Sequence, residues 1–412
     1  MPENLSSQLE KYLPPPALAL VKIAGNEADK LWQELYLVGG VVRDLFLERA
    51  NFDFDLVVEG DAIALARKLA RDSRAKLTVH TRFGTAKLDY PGFSLDLATA
   101  RLETYSRPGA LPTVKPGNLA DDLIRRDFSI NAMALHLNPQ SFGELVDLYH
   151  GKEDLDKKVI RILHPRSFTD DATRILRAIR YEQRLGFKLD VETEKLFRRD
   201  VAMLDTISGD RKRHELELIL KEDEPERILR RAEELGVLSQ LHPSLKGNGR
   251  LTKAFAQARQ MGKRISLSAL YLCLLIYNLN EKENEEFILH LNFSKNPVQA
   301  MRQTLQLKAQ LHNLSTAGLK PSDIYQLLQG YSTTAIQANA LACESPIASQ
   351  HLNLYLNKLR YVKPLLDGRD LKKMGVPAGP RIGEVLNTIQ KAKLDGKVRT
   401  RQDEERLVNH LR

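Results

Sequence analysis

Asp53 and Asp55 stand two residues apart in Phe52-Asp53-Phe54-Asp55, just ahead of the apolar run Leu56-Val57-Val58. On a strand, residues two apart project from the same face, so this spacing sets the two carboxylates side by side and turns Phe54 and Leu56 the other way. Two ionised carboxylates that close repel each other unless a cation lies between them. Magnesium suits the pair, because it takes hard oxygen ligands and keeps positions open for substrate phosphates. Ten residues before Asp53 lies Arg43, and before it Tyr36-Leu37-Val38 runs into Gly39-Gly40. That reads as a short buried strand entering a tight turn, and the helical spacing of apolar residues from Val41 to Leu47 reads as a helix opened by the turn. A glycine pair lets a phosphate approach the backbone, whose N–H groups at a helix start favour anions. Arg43, in the first turn, is placed to add a charge-assisted bond to a phosphate oxygen.

Further groups recur along the chain. Asp96 is a lone acid in the strand-like run Ser94-Leu95-Asp96-Leu97-Ala98-Thr99. A buried acid needs a partner, and a cation shared with Asp53 and Asp55 would supply one. Arg125 and Arg126 precede Asp127-Phe128-Ser129-Ile130-Asn131-Ala132, which reads as an apolar helix or strand; Arg126 can neutralise a phosphate while Asp127 braces the segment locally. From Thr169 to Phe187 the sequence predicts one helix, with Thr169 as its N-cap and Gly186 as its stop. Arg174, Arg177 and Arg180 recur every three residues along it, with Ile175, Leu176 and Ile179 toward a core.

The order Gly39-Gly40-x-x-Arg43-Asp44, then Asp53-x-Asp55, resembles the head of the nucleotidyltransferase superfamily that includes DNA polymerase beta. Its wording is similar to class II tRNA nucleotidyltransferases and bacterial poly(A) polymerases. The run Arg125 to Ala132 resembles that family's Arg-Arg-Asp-Phe-Thr-Ile-Asn-Ala motif almost letter for letter. Asp147 to Leu155 resembles its linker between head and neck, Ser208 to Leu216 a helix-stabilising motif, and Gly368 to Gly383 its tail. Asp170-Asp171-x-x-Arg174 resembles the motif whose Asp and Arg read the incoming base, departing from it in Asp170, where Glu is usual, and Ala172, where Pro is common.

The resemblance covers about residues 36–230 and 366–400. It implies two magnesium ions held by Asp53, Asp55 and Asp96, and a nucleotide held by Gly39, Gly40, Arg43, Arg126, Asp171, Arg174, Arg177 and Arg180. It also implies an enzyme: the 3′-hydroxyl of an RNA attacks the α-phosphate of CTP or ATP, without a nucleic-acid template, to add or repair all or part of the CCA end of tRNA. A poly(A) polymerase acting on general RNA and a non-catalytic RNA-binding relic are the competing readings. The relic is disfavoured because two close carboxylates without a metal cost stability.

The elements that position these groups predict an α+β protein, a small α/β head followed by helical neck, body and tail. The expected divisions are a helical, polar segment over residues 1–35, the head over 36–160, the neck over 161–230, the body over 231–345 and a basic tail over 346–412. Strands are expected at Lys76–His80, Thr85–Asp89 and Phe93–Thr99, a helix at 61–72, and a mobile loop over 101–125, where Pro and Gly concentrate. In the family that loop bears on the choice of nucleotide.

The 412 residues carry a net charge of +9, which suits a polyanionic partner. The last segment, residues 351–412, holds 14 Lys and Arg against 7 Asp and Glu. Lys372, Lys373, Arg381, Lys391 and Lys393 there are the expected RNA contacts. Two cysteines, Cys273 and Cys343, rule out a disulfide framework and fit a reducing cytoplasm. The most apolar run, Ile265 to Tyr277, is too short to span a membrane and reads as a buried helix. No secretory signal, membrane partner or obligate protein partner is expected. Without a His-Asp dipeptide, the phosphohydrolase domain of some relatives is not expected either.

Overall fold

A computed structural model describes residues 3–71, 75–261 and 267–411. The chain divides into two compact units. Met1–Glu215 with Leu235–Gln240 form the first, and Leu216–Glu234 with Leu241–Arg412 form the second.

The first unit is built on a seven-stranded sheet. Its helices and strands run α1 (Ser6–Tyr12), α2 (Pro15–Lys30), β1 (Glu34–Val38), α3 (Gly40–Phe46), β2 (Asp53–Glu59), α4 (Ala62–Arg71), β3 (Lys76–His80), β4 (Thr85–Tyr90) and β5 (Phe93–Thr99). After them come β6 (Arg101–Thr104), β7 (Thr113–Pro116), α5 (Leu119–Ile124), β8 (Ala134–His136) and β9 (Leu145–Val146). The order across the sheet is β3-β4-β5-β2-β1-β8-β9. Only β2 and β5 pair in parallel; the other neighbours are antiparallel.

Period-two alternation sorts β2 between two environments. Phe54, Leu56 and Val58 enter the larger core with Leu35, Leu37, Leu95 and Leu97, covered by α1, α2 and α4. On the other face Val57 joins Tyr36, Val38, Leu119, Leu123 and Ala134 in a smaller core. Asp53 and Asp55 share that second face but remain exposed. Each fully buried Leu or Phe in these layers contributes roughly 1.5–3 kcal/mol.

Residues 1 and 2 of the expected N-terminal helical segment lie outside the described residues; the rest is helical over Ser6–Tyr12 and Pro15–Lys30, but it is not a polar appendage. Leu5, Leu9, Leu13, Ala17, Val21, Ala24 and Ala28 pack into the larger core. Gly25 makes that seating possible, since a Cβ there would fall 1.9 Å from the Leu137 carbonyl oxygen. The interval 101–125 is also more regular than a loop. β6 and β7 pair antiparallel as a ribbon, and α5 follows with a capping box between Asn118 and Asp121. Of the residues that suggested a loop, Pro108, Gly109 and Pro112 lie between the two strands of the ribbon, while Pro116 is the last residue of β7 and Gly117 follows it.

The described residues of the second unit contain helices and no strand. The expected apolar helix is found at Leu267–Leu275, fully buried from Leu270 on; residues 265 and 266 of that expectation lie outside the described residues. One core gathers Leu307, Leu328, Ile336, Leu352 and Leu359. A separate one in the last 50 residues gathers Leu366, Leu371, Val376, Val385, Ile389 and Val408. Among the described residues no helix is long and apolar enough to cross a membrane.

Ala in place of a mid-helix Gly ordinarily stabilises by about 1 kcal/mol. At Gly25 the sign reverses, because the added methyl must push α2 away from Leu137. Gly25→Ala is expected to destabilise the protein by roughly 1–3 kcal/mol, read as a lowered midpoint of urea unfolding.

Candidate active site

A cleft of about 930 Å³ opens on the face of the sheet that carries the carboxylates. Asp55 lies directly opposite Asp96 across the parallel β2–β5 pair, and Asp53 lies two residues away, opposite Ser94. All three acids line the cleft. The Asp55 carboxyl is pushed up to about 6, first by the protein mass crowded around it; Arg126 opposes the shift, and Asp53, Asp96 and Asp122 add to it. Its atoms nevertheless remain open to the water of the cleft. Asp96 is ion-paired with Lys87 at 2.9 Å. Among the described residues no three Asp, Glu, His or Cys side chains are gathered as a ready-made metal cage.

Gly39 ends β1 with φ +81, a conformation that disfavours side chains. A Cβ there would stand 2.8 Å from Arg126 Nη1 and 3.5 Å from Asp55 Oδ2. The glycine thus makes room for an arginine beside the carboxylates. Arg126 Nη2 donates to Asp122 at 3.1 Å, while its Nε is buried without a hydrogen-bond partner. Asp122, fully buried, also receives Arg125 at 2.7 Å. Arg125 reaches Glu103 on β6, which accepts from Arg101 and from the Tyr105 hydroxyl as well. The ribbon and the arginine pair therefore share one buried network.

Arg43 is placed differently from its sequence reading. It is 3 % exposed, and its guanidinium is bonded to Asp44 at 2.9 Å and to Asn131 Oδ1 at 2.7 Å. It lines the cleft and lies over the Tyr181 ring. Asn131 in turn donates to Asp127 at 2.9 Å, and Asp127 receives two bonds from Arg177, at 2.8 and 2.6 Å. Burial would raise the Asp127 carboxyl, but Arg177 and Asn131 outweigh it and hold the group below the usual carboxylate range.

The helix expected from Thr169 is broken. α6 (Gly151–Asp156), with its start held by Asp147, and the short strand β10 (Val159–Ile160) lead to α7 (Ser167–Asp170). A new helix, α8 (Thr173–Leu185), begins after Asp171 and Ala172, and Gly186 stops it in the left-handed conformation, as read. Thr169 is therefore inside α7 rather than an N-cap. Asp171 Oδ1 accepts from the Thr173 N–H at 2.9 Å and its hydroxyl at 2.6 Å, and a side chain that captures a nearby N–H competes with continuous helix. Asp171 and Arg174 consequently do not lie three apart on one helix face, although both line the cleft. Arg174 is buried, donating to Ser167 Oγ at 2.6 Å and to the Arg125 carbonyl.

Of the remaining arginines on α8, Arg177 and Arg184 line the cleft. Arg180 is not among its lining residues; it is buried against Glu215, at 3.3 Å, in α10 (Gly209–Ile219), which follows β11 (Lys188–Leu189) and α9 (Val191–Asp200). Sequence reasoning missed Arg211 of α10, which donates to Asp171 Oδ1 at 2.7 Å and contacts the Gly109 carbonyl of the ribbon at 3.4 Å. Its signal was present in Ser208 to Leu216, a stretch read only as helix-stabilising. Lys87, Glu103, Asp122 and Tyr181 were also missed, as single residues without a motif.

In the second unit the five expected RNA contacts divide. Lys372, Lys373 and Lys391 are exposed. Arg381 is exposed but bonded to Glu384 and to the Leu411 carbonyl. Lys393 pairs at 2.9 Å with Glu404, a fully buried acid that also accepts from the Leu365 and Leu366 N–H groups. Lys393 is thus built into the tail's own core.

Three family profiles match the chain: "Poly A polymerase head domain" over residues 35–161, "Probable RNA and SrmB-binding site of polymerase A" over 186–247, and domain 2 of tRNA nucleotidyltransferases over 264–406. Among curated proteins, the A-adding tRNA nucleotidyltransferase of Geobacter sulfurreducens is 35% identical, over 98% of this chain and 48% of its own length. That of Aquifex aeolicus is 37% identical, over 86% of this chain and 44% of its own length. The chain thus spans about half the length of these two relatives. The A-adding enzyme of Halalkalibacterium halodurans is 33% identical, over 97% of this chain and 94% of its own. Among solved structures, an apo CCA-adding enzyme superposes with a TM-score of 0.85 at 33% identity, covering 100% of this chain and 99% of that one. The Thermotoga maritima CCA-adding enzyme complexed with tRNA CCA gives 0.81 at 32%, covering 100% and 99%.

Asp127 offers a test of the arginine network. Its folded-state pKa is depressed, so its contribution to stability is complete above the ordinary carboxylate value of about 3.9 and is lost as pH falls through the lower folded value. Asp127→Asn is expected to lower the melting temperature at neutral pH, with the gap to wild type closing on acidification. A gap independent of pH would show that the charge does not carry the contribution.

Proposed function

The chain belongs to the tRNA nucleotidyltransferase and poly(A) polymerase family, and from that premise we propose that it extends the 3′ end of tRNA with CTP, ATP or both, adding all or part of CCA. The observation that carries this reading is the shared face of Asp53, Asp55 and Asp96 beside Arg126. It is supported by full-length likeness to CCA-adding enzymes, one of them bound to tRNA. A poly(A) polymerase on general RNA is the alternative, and the two are separated by primer extension on tRNAs ending before CCA, after C and after CC, with each nucleotide supplied separately.

The donor set fits a divalent cation. Three hard carboxylates share one face, the middle one is raised toward neutrality by crowding, and a Cβ at Gly39 would fill the adjoining space. Asp53, Asp55 and, after release from Lys87, Asp96 would hold magnesium. The chemistry such a cation would supply there is a lowered pKa for an attacking hydroxyl and stabilisation of charge on attacking and leaving oxygens. The triphosphate is held by Arg126, whose Nε has no partner inside the protein, and by the backbone at Gly39 and Gly40. Arg43 and Arg177 act behind them, as braces fixed to Asp44, Asn131 and Asp127. Arg180 is a structural partner of Glu215.

The base is read by Asp171 and Arg174. Cytosine and adenine both present an exocyclic amino donor beside a ring-nitrogen acceptor; uracil and guanine present a carbonyl beside a ring N–H. Asp171 Oδ1 is held by Thr173 and Arg211, which leaves Oδ2 to accept from the amino group while Arg174 donates to the ring nitrogen. A mismatched base leaves buried polar groups unpaired, at about 1–3 kcal/mol each. Lys372, Lys373 and Lys391 supply backbone phosphate contacts in the second unit. The free cysteines, Cys273 and Cys343, suit a reducing cytoplasm.

Two experiments test the assignments. In primer extension with parallel tRNA-binding titrations, Asp53→Ala or Asp55→Ala should lower incorporation about a thousandfold or more and leave RNA affinity nearly intact. Joint replacement of Lys372, Lys373 and Lys391 by Ala should weaken RNA affinity and flatten its salt dependence. Retention of more than about a tenth of wild-type incorporation in either Asp variant would sink the cation assignment. Separately, kcat/KM for all four nucleotides should show Asp171→Ala losing CTP and ATP use and narrowing their advantage over UTP and GTP. Lost activity with full discrimination would make Asp171 structural.

A further inference from the structure

Asp96 occupies a fork in the sheet. On β5 it is directly opposite Asp55 of β2 on one side and directly opposite Lys87 of β4 on the other. Directly opposite residues of neighbouring strands share a face and lie within side-chain reach. The Asp96 carboxylate therefore has two alternatives, a cation held with Asp55 or the Lys87 ammonium, and it takes the ammonium at 2.9 Å. Among the described residues no three acids are gathered closely enough to form a closed cage. Both members of the pair line the cleft, and each side chain is more than a third exposed. Such a solvent-open pair is weak, so either member can be exchanged for another partner at little cost.

We propose that Lys87 is a built-in stand-in for the cation that Asp96 would share with Asp55: it neutralises Asp96 while the cleft is unloaded and is displaced from it when a divalent ion recruits Asp96 as the third carboxylate. This inference rests on the cation reading above. Lys87 is a positioning residue in this account, since it acts on the cation through Asp96. The nucleotide-free site then binds cation chiefly through Asp53 and Asp55, and full engagement waits on whatever frees Asp96.

The test is a titration of the full chain with Mn²⁺, followed by electron paramagnetic resonance, without nucleotide or RNA. Lys87→Met is expected to tighten Mn²⁺ binding by up to about fivefold, the equivalent of a weak ion pair released. In an Asp96→Asn background the same substitution should change affinity less than about twofold, because the carboxylate it would free is gone. Lys87→Arg, which keeps the charge and the pairing, should behave as wild type. An equal gain in both backgrounds would mean that Lys87 acts through space on the whole cleft, and no gain in either would mean that Asp96 is not recruited; both overturn the exchange. Asp53→Ala serves as the control on the underlying reading. If it binds Mn²⁺ as wild type does, the cation assignment falls and the exchange with it. If it is impaired while Lys87→Met matches wild type, the exchange alone falls.

Discussion

Asp55 and Asp96 are held opposite each other because β2 and β5 are the one parallel pair in the sheet, and Asp53 joins them by the two-residue period of the strand. Negative charge crowded on one face of a sheet has to be balanced, and the surroundings of the cleft are arranged around that need. Lys87 balances Asp96, and Arg126 stands against Asp55 in the space left by Gly39. The same logic extends outward through arginines that are themselves balanced, Arg125 by Asp122 and Glu103, Arg177 by Asp127, Arg43 by Asp44. The fold supplies the other half of the constraint. Phe54, Leu56 and Val58 bury the back of β2, so the strand cannot slip by one residue without turning its carboxylates into the core.

That periodicity is why the sheet was legible in the sequence. β3, β4 and β5 fall within a residue of the expected runs, because alternation marks both a strand and its faces. The stretches Gly39–Asp55 and Arg125–Asn131 were legible as resemblance, and both contribute residues to the lining of the cleft. What the sequence hid was pairing at a distance. Arg43 reads as a free cation until Asn131, 88 residues later, is brought beside it. Arg180 reads as one of three equivalent arginines until Glu215 takes it inward, and Lys393 as a surface charge until Glu404 is buried beneath it.

Two other differences have local causes. The β6–β7 ribbon was masked by Pro108, Gly109 and Pro112, which belong to its connection, and by Pro116, which ends β7 opposite Arg101. The break between α7 and α8 was masked by good helical spacing on both sides of it. Its cause is one side chain, Asp171, whose oxygen takes the N–H and hydroxyl of Thr173 and the guanidinium of Arg211. An acid that follows one helix, accepts the first N–H of the next and lines the cleft is over-determined in position, which is the condition for a polar group to discriminate between ligands.

The chain passes between its two compact units three times, because Leu235–Gln240 return to the first after Leu216–Glu234 have entered the second. Neither unit is therefore a contiguous segment. During synthesis the first unit lacks its last piece until part of the second has already left the ribosome, so the two cannot mature in strict succession. No single peptide-bond cleavage yields either unit whole. A lineage that inherited this arrangement could lengthen the chain at its ends, but could not exchange one unit for another by a simple splice.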